Sequence, residues 1–343
     1  MTPPRTTIKD IAQECGVSLS TVSLVLNDNP RISEKTREKV QEAVRRHSYQ
    51  PNQQARGLAS KSSSIMSVVV PNIKNVFSDV YFGEILSGIH EEANQANYKL
   101  LLDVANQRFA DNQDYINIIR SRRADGMLFI ASSVNESYLR GIEQYQLPFL
   151  LVNHYYPTSK LNYIAVDYKA SAVMAADHLI SLGHRRIGLI AGINTYTGLD
   201  FRDAFLTHCR QQGLVESDLP WEDGGEQWNQ EGGYETTRRL LEKRPDLTAI
   251  MSANDRMAMG AISYLHGQGL QVPGDVSVMG VDDIPSAPFT SPALTTIRHD
   301  LFEVGRQSFR KVHAIFKGEI ESCHELLPAS LLKRDSTGPA KTS

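Results

Sequence analysis

Seven short apolar runs, at residues 67–70, 99–102, 127–130, 149–152, 187–190, 249–251 and 276–281, alternate with helix-length amphipathic stretches at 82–97, 112–122, 169–182, 201–212, 231–243 and 256–268. A strand that reads apolar throughout, without in-out alternation, is buried on both faces, and strands separated by helices pair in parallel. Four such units precede about residue 160 and three or more follow it. Two doubly wound parallel-sheet lobes of similar size fit this pattern better than one very wide sheet.

Residues 1–61 do not follow that pattern. Ile8, Ile11, Ala12 and Cys15 recur at i, i+3, i+4 and i+7 and put one apolar stripe on a short helix. Gly16 is a permissive turn residue, and Ser18 is a good N-cap for a second helix that turns Val22, Val25 and Leu26 inward and leaves Leu19, Ser20, Ser23 and Leu24 on or near the outside. A third helix is expected from Ser33 to about His47, with Val40, Ala43 and Val44 closing a small core. Helices joined by a Gly-containing turn make a helix-turn-helix reading.

Charge follows the same division. The net charge is −3, yet residues 1–61 hold 10 Lys+Arg against 6 Asp+Glu. A basic head on an acidic body suits a module that meets phosphate while the remainder avoids it. Between the two parts, 52–60 could form two turns of helix with Ala55, Leu58 and Ala59 on one side. It falls short of the roughly 12–15 residues an isolated helix needs, and Gly57 costs about 1 kcal/mol relative to Ala, so it needs a partner surface. Lys61-Ser-Ser-Ser64 reads as a flexible join.

In open α/β sheets ligands bind beyond the carboxyl ends of the strands. Asn75, Asp79, Asp103, Ser132, Asn153, Asn254, Asp255, Asp282 and Asp283 recur there, with capping the expected role of Asp255 and Asp283. Trp228, in a Gly-flanked loop before a helix, could cover a sugar face or a base, or serve as packing. No catalytic constellation stands out: GxSxG, GxxxxGK[ST], HExxH and a GxGxxG between strand and helix are missing. His154, His178 and His184 lack partners at ligand spacing, so no metal or cofactor is expected. The three cysteines are far apart, which implies neither a disulfide framework nor a zinc site and fits a reducing cytoplasm. The N-terminus lacks a signal-type apolar stretch, and no run reaches membrane-spanning length.

The stretches TIKDIAQECGVSLSTVSLVLN, RISEKTREKVQEAVRRHSYQPNQQARGL, HLISLGHRRIGLIAG, SANDRMAMGAISYLHGQGLQVPGDVSVMGVDDI and SPALTTIRHD together resemble the LacI/GalR family of bacterial transcription regulators, over nearly the whole chain up to about Arg334. The resemblance implies a small all-α helix-turn-helix DNA-binding headpiece at 1–50 and a hinge helix and linker at 51–63. A two-lobed α/β effector-binding and dimerisation domain, like a type I periplasmic binding protein, would span 64–335, and 336–343 would be a frayed tail. Homodimers would grip a palindromic operator. By position Leu19, Ser20 and Leu24 read base edges, and Leu58 wedges into the minor groove. Thr7, Ser18, Thr21, Ser23, Asn27, Arg31, Tyr49, Asn52 and Ala55 are expected to complete the DNA contacts. Arg202, Trp228, Asn254 and Asp282 match ligand-holding positions, joined by Asn153, Asp103 and the loop carrying Asn75, Phe77 and Asp79, which is longer than the family's usual form. Arg, Asp and an indole together favour a sugar or sugar derivative. Leu24 stands where a basic or polar reader is usual, and a leucine can pack on a thymine methyl but cannot fork to guanine. No leucine heptad follows the last strand, so a dimer is expected. The alternatives are a solute-binding protein of a sugar uptake system, which leaves residues 1–61 unexplained, and a sugar kinase or dehydrogenase, for which the phosphate and dinucleotide loops are missing.

Overall fold

The computed structural model describes residues 6–26, 29–47, 49, 62–131, 139, 141–145 and 147–341. The chain forms two compact units, Met1–Ser63 and Ser64–Ser343.

In the first unit, α1 (Ile8–Cys15), α2 (Leu19–Leu26) and α3 (Glu34–Arg46) enclose Ile11, Ala12, Cys15, Val22, Val25, Val40 and Ala43. Gly16 ends α1 at φ 62°, a left-handed turn that glycine enters without a Cβ penalty. The Ser18 hydroxyl accepts from the Thr21 amide at 3.0 Å and starts α2, and Ser33 accepts from Thr36 at the head of α3. Arg46 and His47 both reach Glu14, which ties α3 back to α1.

The second unit runs β1 (Ile65–Pro71), α4 (Val80–Gln95), β2 (Lys99–Ala105), α5 (Gln107–Asp111), α6 (Asp114–Arg120), β3 (Gly126–Ile130), β4 (Phe149–Val152) and β5 (Tyr163–Val166), which build the first lobe. The second lobe follows with α7 (Tyr168–Ser181), β6 (Ile187–Ala191), α8 (Tyr196–Gln211), β7 (Trp221–Asp223), α9 (Gln230–Lys243), β8 (Ala249–Ser252), α10 (Asp255–Gly267), β9 (Ser277–Asp282) and β10 (Thr295–Arg298). The chain then returns: α11 (Leu301–Lys317) packs on α4, β11 (His324–Leu327) joins the first sheet and β12 (Ser330–Leu332) the second.

The sheets have strand orders β11-β5-β4-β3-β1-β2 and β12-β10-β9-β8-β6-β7, parallel throughout except β12 on β10. Within each, the strand order reverses beside its first strand, at β1/β3 and at β6/β8. Connections leave in opposite directions there and open a crevice at the carboxyl ends. The returning α11 meets α4 backbone to backbone: a Cβ at Gly88 would lie 2.0 Å from the Phe302 carbonyl oxygen, and one at Gly305 2.1 Å from that of Ile85.

The sheets carry every apolar run read from the sequence. Not read as strands were 163–166, an apolar run of only four residues, and 221–223, 295–298, 324–327 and 330–332, short segments with polar or exposed positions that blur the apolar signal. The tail is a correction. Instead of fraying, 336–341 straps the second lobe: Ser336 is fully buried, its hydroxyl accepting from the Thr295 amide at 2.8 Å and donating to the Val278 carbonyl at 2.6 Å. The Ala340 amide donates to Leu182 O at 2.8 Å, and Lys341 reaches Asp275 at 2.5 Å. Small polar residues, which look like a disordered end in the sequence, here satisfy backbone groups beside β9 and β10.

Candidate functional site

On the headpiece, Ser18, Leu19, Ser20, Ser23 and Leu24 are exposed, and Leu19 and Leu24 keep 44% and 38% of their surface open beside the buried Val22 and Val25. Two leucines exposed on the outer face of an eight-residue helix are an apolar feature left uncovered by the other described residues. Thr21 is half-buried and shares a hydrogen bond with Ser18 at 2.9 Å. Thr7 is exposed at the head of α1, where its amide and hydroxyl both donate to Asp10 and hold that carboxyl below its usual range. Arg31 is exposed, whereas Tyr49 packs against the headpiece core. Asn27, Asn52, Ala55 and Leu58 lie outside the described residues, as does all of 51–61.

The second site is a cavity of about 130 Å³ between the two lobes. Its walls come from residues at or just beyond the carboxyl ends of β1, β3 and β4 (Pro71, Ile73, Ala131, Asn153) and of β6, β8 and β9 (Asn194, Thr195, Ala253, Asn254, Asp282). The two reversal points thus face each other across one space, which is where such sheets hold ligands.

Trp228 forms one wall, with its indole N–H donating to Asn194 Oδ1 at 2.6 Å and its carbonyl accepting from the Asn254 amide group at 2.9 Å. Asn254 also caps α10, its Oδ1 accepting from the Met257 amide at 2.8 Å. Asn153 has both faces of its amide engaged. Its N–H groups donate to Tyr81 Oη at 2.7 Å and Tyr168 Oη at 2.8 Å, and its oxygen accepts from the Val166 amide at 3.0 Å. It therefore positions two phenols in the wall rather than offering itself to a ligand. Burial raises both phenol pKa values, so both stay protonated and present polar hydroxyls to the cavity.

Asp282 ends β9 at φ 106°, a strained backbone for a non-glycine residue and a mark of functional constraint. Burial first, and then Asp79, push its carboxyl well above the usual range. Behind it, His299 Nδ1 lies 3.3 Å from Asp282 Oδ1 and Nε2 lies 3.1 Å from the Ser171 hydroxyl; burial lowers the imidazole to about 3. Both members of this pair are driven toward their neutral forms by loss of water. Asp79 caps α4 through the Tyr81 amide at 3.0 Å and forms an ion pair with Arg256, which spans the cavity from one lobe to the other. A second bridge runs from the Lys74 amide to Gln227 Oε1 at 3.3 Å.

Of the effector residues expected from the sequence, Asp79, Asn153, Trp228, Asn254 and Asp282 line this cavity, and Asn75, Phe77, Asp103 and Arg202 do not. Arg202 sits on α8 five residues beyond Thr197, which does line it; at 3.6 residues per turn that separation carries the side chain roughly 140° away. Arg202 instead pairs with Asp203 at 2.7 Å and lies 4.8 Å over the Trp221 ring. Phe77 is 57% exposed on the outside of its loop, and Asn75 takes a left-handed turn there. Asp103 is on β2, at the edge beyond β1 and away from the crevice. Asp255 and Asp283 do not cap helices. Buried Asp255 accepts from the Ile284 amide at 2.9 Å and the Thr296 hydroxyl at 2.6 Å, and Asp283 pairs with Arg334 at 2.5 Å. Tyr81, Tyr168, Thr197 and Arg256 were missed. For Tyr81 and Arg256 a signal existed, since each stands two residues beyond a polar strand-end position, Asp79 and Asn254.

Among the described residues no group of three or more His, Cys, Asp or Glu stands together as metal ligands, and no helix is long and apolar enough to cross a membrane.

Residues 7–52 match the model for bacterial regulatory proteins of the lacI family, and residues 176–337 match that for a periplasmic binding protein-like domain. Catabolite control protein A of Priestia megaterium is 30% identical over 341 residues, covering 96% of this chain and 99% of that protein. The lac repressor dimer bound to operator and the anti-inducer ONPF superposes with a TM-score of 0.86 at 26% identity, over 98% of this chain and 100% of that one. A LacI family transcriptional regulator from Enterococcus faecium with bound ribose gives 0.70 at 25% identity, over 81% and 100%. With a helix-turn-helix head, a cleft between binding-protein lobes and a relative 30% identical over nearly its whole length, the chain belongs to the lacI family of bacterial regulatory proteins and is a DNA-binding transcriptional regulator.

Proposed function

We propose that this regulator is a repressor that grips a palindromic operator as a homodimer in the cytoplasm, and that a sugar or sugar derivative held in the cavity alters that grip. The observation that carries the effector reading is the wall around the cavity: an indole on one side and hydroxyl partners at Asp282, Tyr81, Tyr168 and Thr197 on the others. An aromatic face with a few convergent polar groups is what a polyol ring needs. The operator and ribose held by the lac repressor and the Enterococcus faecium protein support the two halves of the reading.

Leu19, Ser20 and Leu24 read base edges in this proposal, with Thr7, Ser18, Thr21, Ser23, Asn27, Arg31, Tyr49, Asn52 and Ala55 around them and Leu58 at the operator centre. Residues 51–63 order as a hinge helix only against their twin and the DNA. Effector in the cavity changes the angle between the lobes and thereby whether two hinges meet. Coupling of this kind is reciprocal, so operator must change effector affinity by the same factor.

A fluorescence-anisotropy titration against genomic operator fragments, with and without a panel of mono- and disaccharides, tests the proposal. Sugar-dependent change in operator affinity is expected; sequence-specific binding that no sugar alters would remove the effector class.

A further inference from the structure

The cavity contains one guanidinium among its lining residues, Arg256, and that guanidinium is already used. Arg256 is in the first turn of α10 and meets Asp79, which stands at the head of α4 on the opposite lobe. The Asp79 side chain is 8% exposed and that of Arg256 23%, so the pair lies largely out of water. The carboxylate is fixed independently of the arginine, because its other oxygen takes the Tyr81 amide. The other titratable acids of the wall are Glu226 and Asp282, the latter driven toward its neutral form by burial. The amino ends of α4 and α10 both approach this space, and helix amino ends favour negative charge. Asp79 supplies that charge from within the protein.

We propose that Asp79 determines the specificity of the cavity by occupying Arg256, so that the site accepts uncharged ligands and rejects those carrying a phosphate or carboxylate. This rests on the reading of the cavity as the effector site and narrows its ligand class. An anionic ligand meeting Arg256 would compete with Asp79 for its charge, and displacing Asp79 would leave a buried carboxylate without its partner, which is costly. A neutral polyol leaves the pair intact and hydrogen-bonds to the phenols and to Asp282.

The test uses inorganic phosphate as the probe, on the full chain, against chloride at matched ionic strength. Thermal midpoints and calorimetric titrations are compared for wild type, Asp79→Asn, Arg256→Gln and the double variant. Asparagine caps a helix as well as aspartate, so α4 keeps its start in Asp79→Asn. Wild type is expected to show no phosphate binding that Arg256→Gln removes. Asp79→Asn is expected to bind phosphate at least about tenfold more tightly than wild type, as one charge-assisted contact would give, and to lose this in the double variant. Arg256-dependent phosphate binding by wild type, or no gain in Asp79→Asn, would overturn the proposal. Should Asp79→Asn fail to fold, wild type against Arg256→Gln still decides. Neither sugar nor operator enters this experiment, so its failure is separate from failure of the sugar-effector reading.

Discussion

The indole of Trp228 rests on the backbone of Gly192, so close that a Cβ built on Gly192 would lie 2.0 Å from its Cη2 and Cζ2. The glycine at the end of β6 is what lets the ring form a wall of the cavity. Gly192→Ala is therefore expected to push the indole into the cavity or off the strand. Overpacking of this kind costs about 1–3 kcal/mol of stability, and effector affinity should fall by about tenfold or more while operator binding without effector persists. Calorimetry with the effector and anisotropy with the operator check the two halves separately; unchanged effector affinity would mean that the ring is not a ligand surface.

On the headpiece, exposed Leu24 can pack on a thymine methyl but cannot fork to guanine. Operators selected from a random pool should carry T·A beneath it, and Leu24→Arg should move the preference to guanine, with discrimination on the order of 1–3 kcal/mol at that one base pair. A strict guanine preference in the wild-type selection would contradict the assignment.

How much of this could be read from residues alone differs between the two sites. Both sheets were legible because residues such as Val68, Leu128, Ile190 and Val278 sit in runs buried on both faces. Asp282 and Asn254 were legible as polar residues closing such runs. Tyr168 was not, because its role depends on Asn153, which reaches it from a different strand end. That Arg202 lies off the cavity was not legible, because the sequence shows which helix a residue is on, while the turn at which that helix enters the cleft depends on the loop before it. The strap at 336–341 was invisible for a similar reason. Its Ser and Thr residues look like those of any free end, and only β9 and β10, which it covers, give them a purpose.

Stability should fall on mild acidification, and His154 is one cause. It is fully buried beside Tyr156, with neither ring nitrogen hydrogen-bonded among the described residues, and burial lowers its pKa to about 3. In the unfolded chain it titrates near its ordinary value of 6.5. Above that value the ring is neutral in both states and stability is fully present. As pH falls below it, the unfolded chain takes a proton that the folded one refuses, so stability declines, by up to about 1.4 kcal/mol per pH unit for this group. His184, lowered to about 4, acts in the same direction. Buried Asp255 and Asp282, whose pKa values are raised, act in the opposite one. His154→Phe keeps an aromatic ring against Tyr156 and removes the proton site. Denaturant unfolding at pH 7 and pH 5 should show the variant gaining on wild type as pH drops; a constant difference would assign the acid sensitivity elsewhere.

In the proposed mechanism the cavity governs the head. Operator affinity measured by anisotropy, with and without an activating sugar, in wild type and Trp228→Ala, tests it most directly. The expected result is equal operator affinity without sugar, a sugar-dependent change in wild type, and loss of that change in the variant. A sugar response that survives removal of the indole, or operator affinity in wild type that no cavity ligand alters, would contradict it.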